Sequence, residues 1–478
     1  MSKCNIKYNF SASAKIIKNK KVQSVSIVDE FFEPNCICVG MYWMNDDDLR
    51  WAIKNGALAI VTKKQIDNLP CIIVDNPLEV YAKMCLYFRK LHSNVSATLV
   101  TGSIGKTTTK RMVESVYEQQ YRTFANPTNR NLLRSVGFSM QHIPPRTQKI
   151  IEEVSEDTPG YAIHSSTACK PNTIVITPVD KSHLEAFGSQ DAIVEEICSV
   201  TKAMDKNGTV IINKDDFENL SQFLNIDKII TVSITDTNAD IYAQNIQVVN
   251  AGLEFDIIDG TTKYSKVKLY NIYAVHNVLI ALFAYAAGKS EGVTPLNIIK
   301  GIQNFKTLGI RQNIFRTSDN VLVYADCYNA VAKSIESAIK SAEIIPLNEK
   351  ASGKNRRIAV LGDVEEAGEL SQQTHEDIIN IVNNSLFDHL IITGKKLKAA
   401  FEKSKTREDL MVYCCDNHKQ AIDELKKLSP NDGEIVLFKS SRSGQLEKVM
   451  LSVFPETQYL IKEEEKKVNA WHKKITIS

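Results

Sequence analysis

From Ser96 to Lys110 the chain reads Ser-Ala-Thr-Leu-Val-Thr-Gly-Ser-Ile-Gly-Lys-Thr-Thr-Thr-Lys, and no other stretch restricts the fold as strongly. Ala97 to Thr101 is short, uncharged and β-branched, as a strand buried in a parallel sheet is. Met112, Val113, Val116 and Tyr117 then recur at helical spacing, which predicts a helix beginning near Lys106. Between the two lies Gly102-Ser103-Ile104-Gly105, followed by Lys106 and Thr107. This is a phosphate-binding loop in its short form, with Val100 where the longer G-x-x-x-x-G-K-[ST] pattern has its first glycine. Glycines let backbone N–H groups close around phosphate oxygens, the helix N-terminus adds partial positive charge, and Lys106 adds a full one. Thr107 offers a hydroxyl to Mg²⁺. A strand–helix turn with an incidental lysine is the plainer alternative, and the coincidence of strand, motif and helix weighs against it.

With 478 residues the length sets an expectation of about three domains. A net charge of +2, with 24% charged residues, gives no electrostatic pull toward nucleic acid or a membrane surface. The lysine-rich start, Met1 to Val22, has no apolar signal-peptide core, and no stretch is long enough to span a bilayer. The ten cysteines are scattered without zinc spacing and read as reduced thiols, so a cytoplasmic location is expected.

The pattern along the chain is α/β. Up to about residue 95, strands are expected at Cys36–Gly40, Ala57–Thr62 and Cys71–Val74, with helices at Asp46–Asn55 and from Pro77 to Lys90. A second region, 96–312, carries the phosphate loop, strands at Thr173–Thr177, Thr209–Asn213 and Lys228–Val232, and antiparallel alternation from Val248 to Tyr270. An apolar helix from Ala274 is expected to stop at Gly288. The third, 313–478, alternates strands at Val321–Tyr324, Ile358–Leu361, His389–Thr393 and Ile435–Phe438 with helices at Ser334–Ile344, His375–Asn384 and His418–Leu428. That is the pattern of a doubly wound, Rossmann-like domain.

Beyond the loop, several motifs recur in a fixed order: Asn126-Pro-Thr-Asn-Arg-Asn131, His183-Leu-Glu-Ala-Phe187, His276-Asn277, Gly309-Ile-Arg311 and Asp326-Cys-Tyr-Asn-Ala330. They continue with Val360-Leu-Gly-Asp363, Glu366-Ala-Gly-Glu369, His375 and Lys439-Ser-Ser-Arg442. In these residues the chain resembles the Mur ligases, ATP-dependent amide-forming enzymes of peptidoglycan precursor synthesis. The resemblance is nearest to the members that join D-alanyl-D-alanine to a UDP-muramoyl tripeptide. It implies three domains: 1–95 for the UDP end of the substrate, a central ATPase, and a C-terminal Rossmann-like lid. It implies ATP and Mg²⁺ as cofactors, small-molecule substrates, and a cytoplasmic monomer with no nucleic-acid partner and no membrane insertion.

Residue by residue, the resemblance places ATP against Gly102, Ser103, Ile104, Gly105, Lys106, Thr107, Thr108, Asn277, Arg311 and Asp326. It places the metal on Thr107, Glu153 and His183, with Lys106, Glu153 and His183 catalytic, and substrate against Asn129, Asn131, Tyr328, Asn329, Lys439 and Arg442. Taken singly, Glu153 also reads as a solvated acid, His183 as a cap, Asn277 as a helix-start residue, Asp326 as a turn former, and Lys439 with Arg442 as an exposed basic pair.

The chain also departs from the family. The N-terminal Asp-Ser/Thr-Arg signature is here Asp29-Glu30-Phe31, which puts an acid where a diphosphate would approach; restoring Thr and Arg is expected to strengthen nucleotide binding. Val331 and Ala332 replace the Asn-Pro that ends the motif after Asp326, and Ser440 replaces a glycine. The lysine that the family carbamylates aligns with Ile197, leaving Glu195 and Glu196 as the nearest acids. These departures keep two other readings open: an ATP-binding paralogue that acts as sensor or scaffold without ligating, and a ligase for a different amino acid.

Overall fold

Short β-branched runs between turn residues form parallel strands, gathered into sheets with helices on their faces. The computed structural model describes residues 21–179, 187–224, 226–347, 355–365 and 368–476. The chain groups into two units, one of 1–230 with 287–293 and 471–478, the other of 231–286 and 294–470.

In the first unit, β1 (Ser24–Ser26), β2 (Cys36–Val39), β3 (Ala59–Thr62) and β4 (Cys71–Ile73) pair in sequence order as a parallel sheet. The helix Asp46–Lys54 starts where expected because Asn45 and Asp48 form a reciprocal capping box. The helix Pro77–Lys90 is capped by Asn76, with proline in its first turn. Its last turn holds Arg89, which is buried and donates to the carbonyls of Cys169 (3.0 Å), His92 (2.7 Å) and Val95 (2.5 Å). This latch fixes the lead into β5 (Ser96–Thr101).

Beside β5 run β6 (Thr123–Ala125), β7 (Lys149–Glu153), β8 (Thr173–Ile176) and β9 (Thr209–Asn213), all parallel, in the order β9-β8-β5-β7-β6. β5 is fully buried from Ala97 to Thr101, as its composition predicts. From β5 the chain runs to β6 at one edge and back to β7 beside β5, then crosses to β8 and β9 on the other side. The carboxyl end of β5 is therefore a topological switch point, where open α/β sheets bind ligands.

In the second unit, β10 (Ile229–Ser233) pairs in parallel with β11 (Ile241–Val249), which continues antiparallel through β12 (Gly252–Asp259) to β13 (Thr262–Tyr270). The alternation expected from Val248 thus begins earlier, at Ile241. The helix His276–Ser290 passes through Gly288 rather than stopping there. Val293 N–H donates to the Gly288 carbonyl at 2.9 Å, and Gly292 takes the left-handed φ of +78°, so Gly292 supplies the C-terminal glycine.

The last sheet has the order β14 (Asn313–Arg316), β15 (Leu322–Asp326), β19 (Ile435–Lys439), β16 (Arg357–Leu361), β17 (His389–Ile392), β18 (Met411–Cys414), parallel except for β14. The helices Ala332–Ile344, Ser371–Asn383 and His418–Leu428 match their expected positions to within a turn, and Lys395–Lys403 adds another. The fold is α/β throughout, in three sheet-centred parts.

Candidate active site

The phosphate loop leaves β5 through two glycines in conformations that other residues resist. Gly102 has φ +121°, and a Cβ there would lie 2.4 Å from both the carbonyl oxygen and Oγ1 of Thr177. Gly105 caps the helix Lys106–Tyr117 with a left-handed φ of 84°. In this conformation the N–H groups of Ser103 and Ile104 donate to the Pro178 carbonyl at 3.2 and 3.1 Å. Lys106 Nζ donates to the Gly102 carbonyl (2.6 Å) and to the carboxylate of Glu156 (2.8 Å). Glu156 has no exposed side-chain surface, and Lys106 keeps 14% of its own. The loop therefore holds a partly open ammonium at a helix N-terminus, the arrangement that attracts phosphate.

Beside it, β7 pairs with β5 so that Glu153 stands opposite Val100. Strand alternation sends the adjacent carboxyls of Glu152 and Glu153 to opposite faces. Glu153 Oε1 accepts from Thr107 Oγ1 and from Asn131 Nδ2, each at 3.0 Å. Its Oε2 lies 3.3 Å from Lys110 Nζ. Asn126 braces the same strand end, accepting from Glu153 N–H (3.0 Å) and donating to the Glu153 carbonyl (3.0 Å). Burial drives Glu152 far above the carboxylate range, against the opposing charge of Lys110. Burial also pulls the Lys110 ammonium down, with Glu153, Glu114 and Glu152 opposing.

A hydroxyl and a carboxylate in contact are hard oxygen donors, so Thr107 and Glu153 fit Mg²⁺. The third expected ligand, His183, lies outside the described residues, as do Glu366 and Ala367 of the later motif. Among the residues expected to meet substrate, Asn131 reaches Glu153, whereas Asn129 is exposed, its side chain accepting from Thr128 (3.4 Å) and its carbonyl from the Asn131 N–H (2.9 Å). Sequence reasoning missed Glu156 and Lys110. Lys110 had one signal, its position four residues beyond Lys106 on the same helical face.

Ile197 is wholly buried among the apolar residues of the first unit. Neither neighbouring acid stands in for a carbamate there. Both oxygens of Glu196 are taken by the N–H groups of Gly160 and Ala162, each at 2.9 Å, at the start of the helix Tyr161–Cys169. Glu195 is exposed. In the turn between β1 and β2 Phe31 is 6% exposed, stacked on Phe138 (4.7 Å) and edge-on to Trp471 (5.8 Å). Glu30 pairs with Arg130.

The second unit carries its own polar cluster at the carboxyl ends of β15 and β19. Asp326 and Lys439 are register partners and form a buried pair at 2.8 Å. Lys439 also donates to the Asn329 carbonyl at 2.7 Å. The Arg311 guanidinium stacks 3.3 Å from the Tyr328 ring centre, with Arg442 at 5.8 Å from the same ring. Asn277 is buried and donates to the Ala274 carbonyl (3.1 Å) and to Gln312 (3.3 Å). Lys439 is thus a buried ion-pair member rather than an exposed cation. Ser440 in place of glycine is accommodated by two other glycines, since a Cβ on Gly362 or Gly444 would lie 2.8 or 3.0 Å from its Cβ.

A buried parallel strand, two glycines with positive φ, a loop lysine and a hydroxyl–carboxylate pair define a phosphate-binding P-loop protein. Residues 100–285 match the Mur ligase middle domain, and residues 310–442 match the Mur ligase, glutamate ligase domain. The chain belongs to the Mur ligase family. It is 27% identical over 408 residues to the UDP-N-acetylmuramoyl-tripeptide--D-alanyl-D-alanine ligase of Bacillus subtilis, covering 84% of this chain and 85% of that one. Its fold resembles MurF from Acinetobacter baumannii, with a TM-score of 0.75 at 21% identity over 90% of this chain and 93% of that one. The MurF ligase of Thermotoga maritima, solved in complex with ADP, has a TM-score of 0.73 at 19% identity, covering 92% and 99%. Among the described residues no helix is long and apolar enough to cross a membrane.

Proposed function

We propose that the protein is an ADP-forming carboxylate–amine ligase that joins D-alanyl-D-alanine, or a closely similar amine, to a UDP-muramoyl peptide. The observation that carries this reading is the contact of Thr107 with Glu153 beside the partly open Lys106, at the switch point of the central sheet. Residues 1–95 would take the UDP end of the donor, 96–312 the ATP, and 313–478 would act as the ligase lid. The names of the relatives support the substrate class.

A carboxylate does not condense with an amine at neutral pH, because its anion resists attack. Transfer of the γ-phosphoryl group of ATP to a carboxylate oxygen makes an acyl phosphate. The amine then forms the amide bond, phosphate leaves, and the amine proton passes to solvent or base. Such a transfer depends on charge neutralisation and alignment, so no protein nucleophile is required. Lys106 meets the transferring phosphoryl group by exchanging its Gly102 and Glu156 contacts for phosphate oxygens. Loop N–H groups do the same by leaving Pro178. Thr107 and Glu153 would hold Mg²⁺, which when bound neutralises phosphate charge. Asn277, Arg311 and Asp326 are proposed to meet the nucleotide, and Asn131, Tyr328, Asn329, Lys439 and Arg442 the other substrates.

The test is ADP formation with UDP-muramoyl tripeptide and D-alanyl-D-alanine supplied together and separately. Turnover only with both supports the ligase. Nucleotide binding without ADP formation under any pairing would favour the non-ligating paralogue.

A further inference from the structure

Lys110 is 1% exposed, a position at which a helix ordinarily buries an apolar side chain. Its buried neighbours Thr109, Met112 and Val113 show that an apolar side chain would satisfy the packing. An ammonium removed from water persists only where its donors are met. Here they reach oxygens on separate segments: the carbonyls of Asn126 and Thr128, both at 2.7 Å, and Glu153 Oε2 at 3.3 Å. Thr128 is itself unusual, a β-branched residue with φ +45°. Its carbonyl is turned toward the lysine in that left-handed conformation. The same turn carries Asn131, whose amide reaches the other oxygen of Glu153 at 3.0 Å.

We propose that Lys110 is the positioning residue for Glu153: by holding Oε2 and the 126–131 turn together, it points Oε1 at Thr107 and so shapes the Mg²⁺ site. This rests on the reading above, in which Thr107 and Glu153 receive the metal. On that reading Lys110, whose Nζ faces the Asn126 and Thr128 carbonyls and Glu153, would meet neither nucleotide nor metal directly. Its effect should therefore appear in the metal dependence of nucleotide binding rather than in binding as such.

The experiment uses the full chain and N-methylanthraniloyl-ATP fluorescence, titrated with Mg²⁺ and repeated in EDTA, with melting temperature recorded for each variant. Lys110→Met should raise the Mg²⁺ concentration at half-effect about 10- to 100-fold, the usual effect of losing a group that orients a metal ligand. Affinity in EDTA should stay within about twofold of wild type. Lys110→Gln, which keeps an N–H donor, guards against misfolding and should show the same displaced Mg²⁺ response. Lys110→Arg should recover most of it. The double variant Lys110→Met/Glu153→Gln should respond no worse than Glu153→Gln alone. Wild-type Mg²⁺ dependence in folded Lys110→Met or Lys110→Gln, while Glu153→Gln abolishes it, overturns the proposal and leaves the metal reading intact. Wild-type dependence in Glu153→Gln overturns the metal reading itself.

Discussion

Replacing Phe31 with arginine restores the basic residue of the family's N-terminal signature, and the structure predicts that it will damage the fold rather than improve nucleotide binding. Phe31 is 6% exposed, stacked at 4.7 Å on Phe138 and edge-on at 5.8 Å to Trp471. Emptying such a site costs about 3–5 kcal/mol. An arginine stem recovers some apolar contact. Its charge, however, would enter beside Arg130, whose guanidinium lies 5.4 Å from the Phe31 ring. We expect Phe31→Arg to lose about 3–5 kcal/mol, and Phe31→Leu, which stays apolar but gives up the stacking and some volume, about 1–2 kcal/mol. Glu30→Thr breaks only a half-exposed pair and should cost less than about 1 kcal/mol. The three tryptophans, Trp43, Trp51 and Trp471, all belong to the first unit, so tryptophan fluorescence, excited selectively over tyrosine, reports that unit in urea. At an m-value of about 1–3 kcal/mol/M, Phe31→Arg should lower the midpoint by about 1 M or more. An unchanged midpoint in Phe31→Arg would refute the packing argument. Tighter UDP binding by the Glu30→Thr/Phe31→Arg protein in calorimetry would show that the position serves the ligand after all.

Three further outcomes follow from the geometry. Lys106→Ala should lower ADP formation by about 10²–10³-fold, because the loop lysine meets charge that develops in transfer; it also strands Glu156, whose side chain has no exposed surface, so the melting temperature should fall too, and ADP formation is to be compared at a temperature where both proteins are folded. Since Ile197 is buried and Glu196 caps a helix, turnover should be the same in CO₂-depleted buffer as with added bicarbonate; a rate restored by bicarbonate would mean that another lysine is carbamylated. In the second unit Arg356→Met strands Glu434, whose side chain has no exposed surface, and should cost about 3–5 kcal/mol in far-ultraviolet circular dichroism melts; a loss below 1 kcal/mol would show that the pair is dispensable.

What could be read from the chain was local. The strand, glycine loop and helix around Lys106 occupy one continuous stretch, so composition and periodicity expose them directly. The carboxylates that complete the site come from the end of β7, 46 and 50 residues from the side chains they meet, and only strand register brings them there. Glu153 was reached through the family's pattern, while Glu156 had no local signal. The edge strands β14 and β18 escaped notice because each is four residues long and half exposed, which blurs alternation. Gly288 looked like a helix end, but the turn that closes the helix depends on the glycine four residues later. Phe31 read as a loss of ligand-binding chemistry; its gain, a stack on Phe138 and an edge contact with Trp471 440 positions away, is visible only in three dimensions.

The proposed reaction turns on activation of a substrate carboxylate by phosphoryl transfer at the P-loop. Its most direct test is to supply the UDP-muramoyl peptide with its reacting carboxylate labelled with ¹⁸O, together with ATP, Mg²⁺ and the amine, and to analyse the released phosphate by mass spectrometry. An acyl phosphate breaks between carbon and the bridging oxygen, so each phosphate released should carry one ¹⁸O atom. Amide product accompanied by unlabelled phosphate would contradict it.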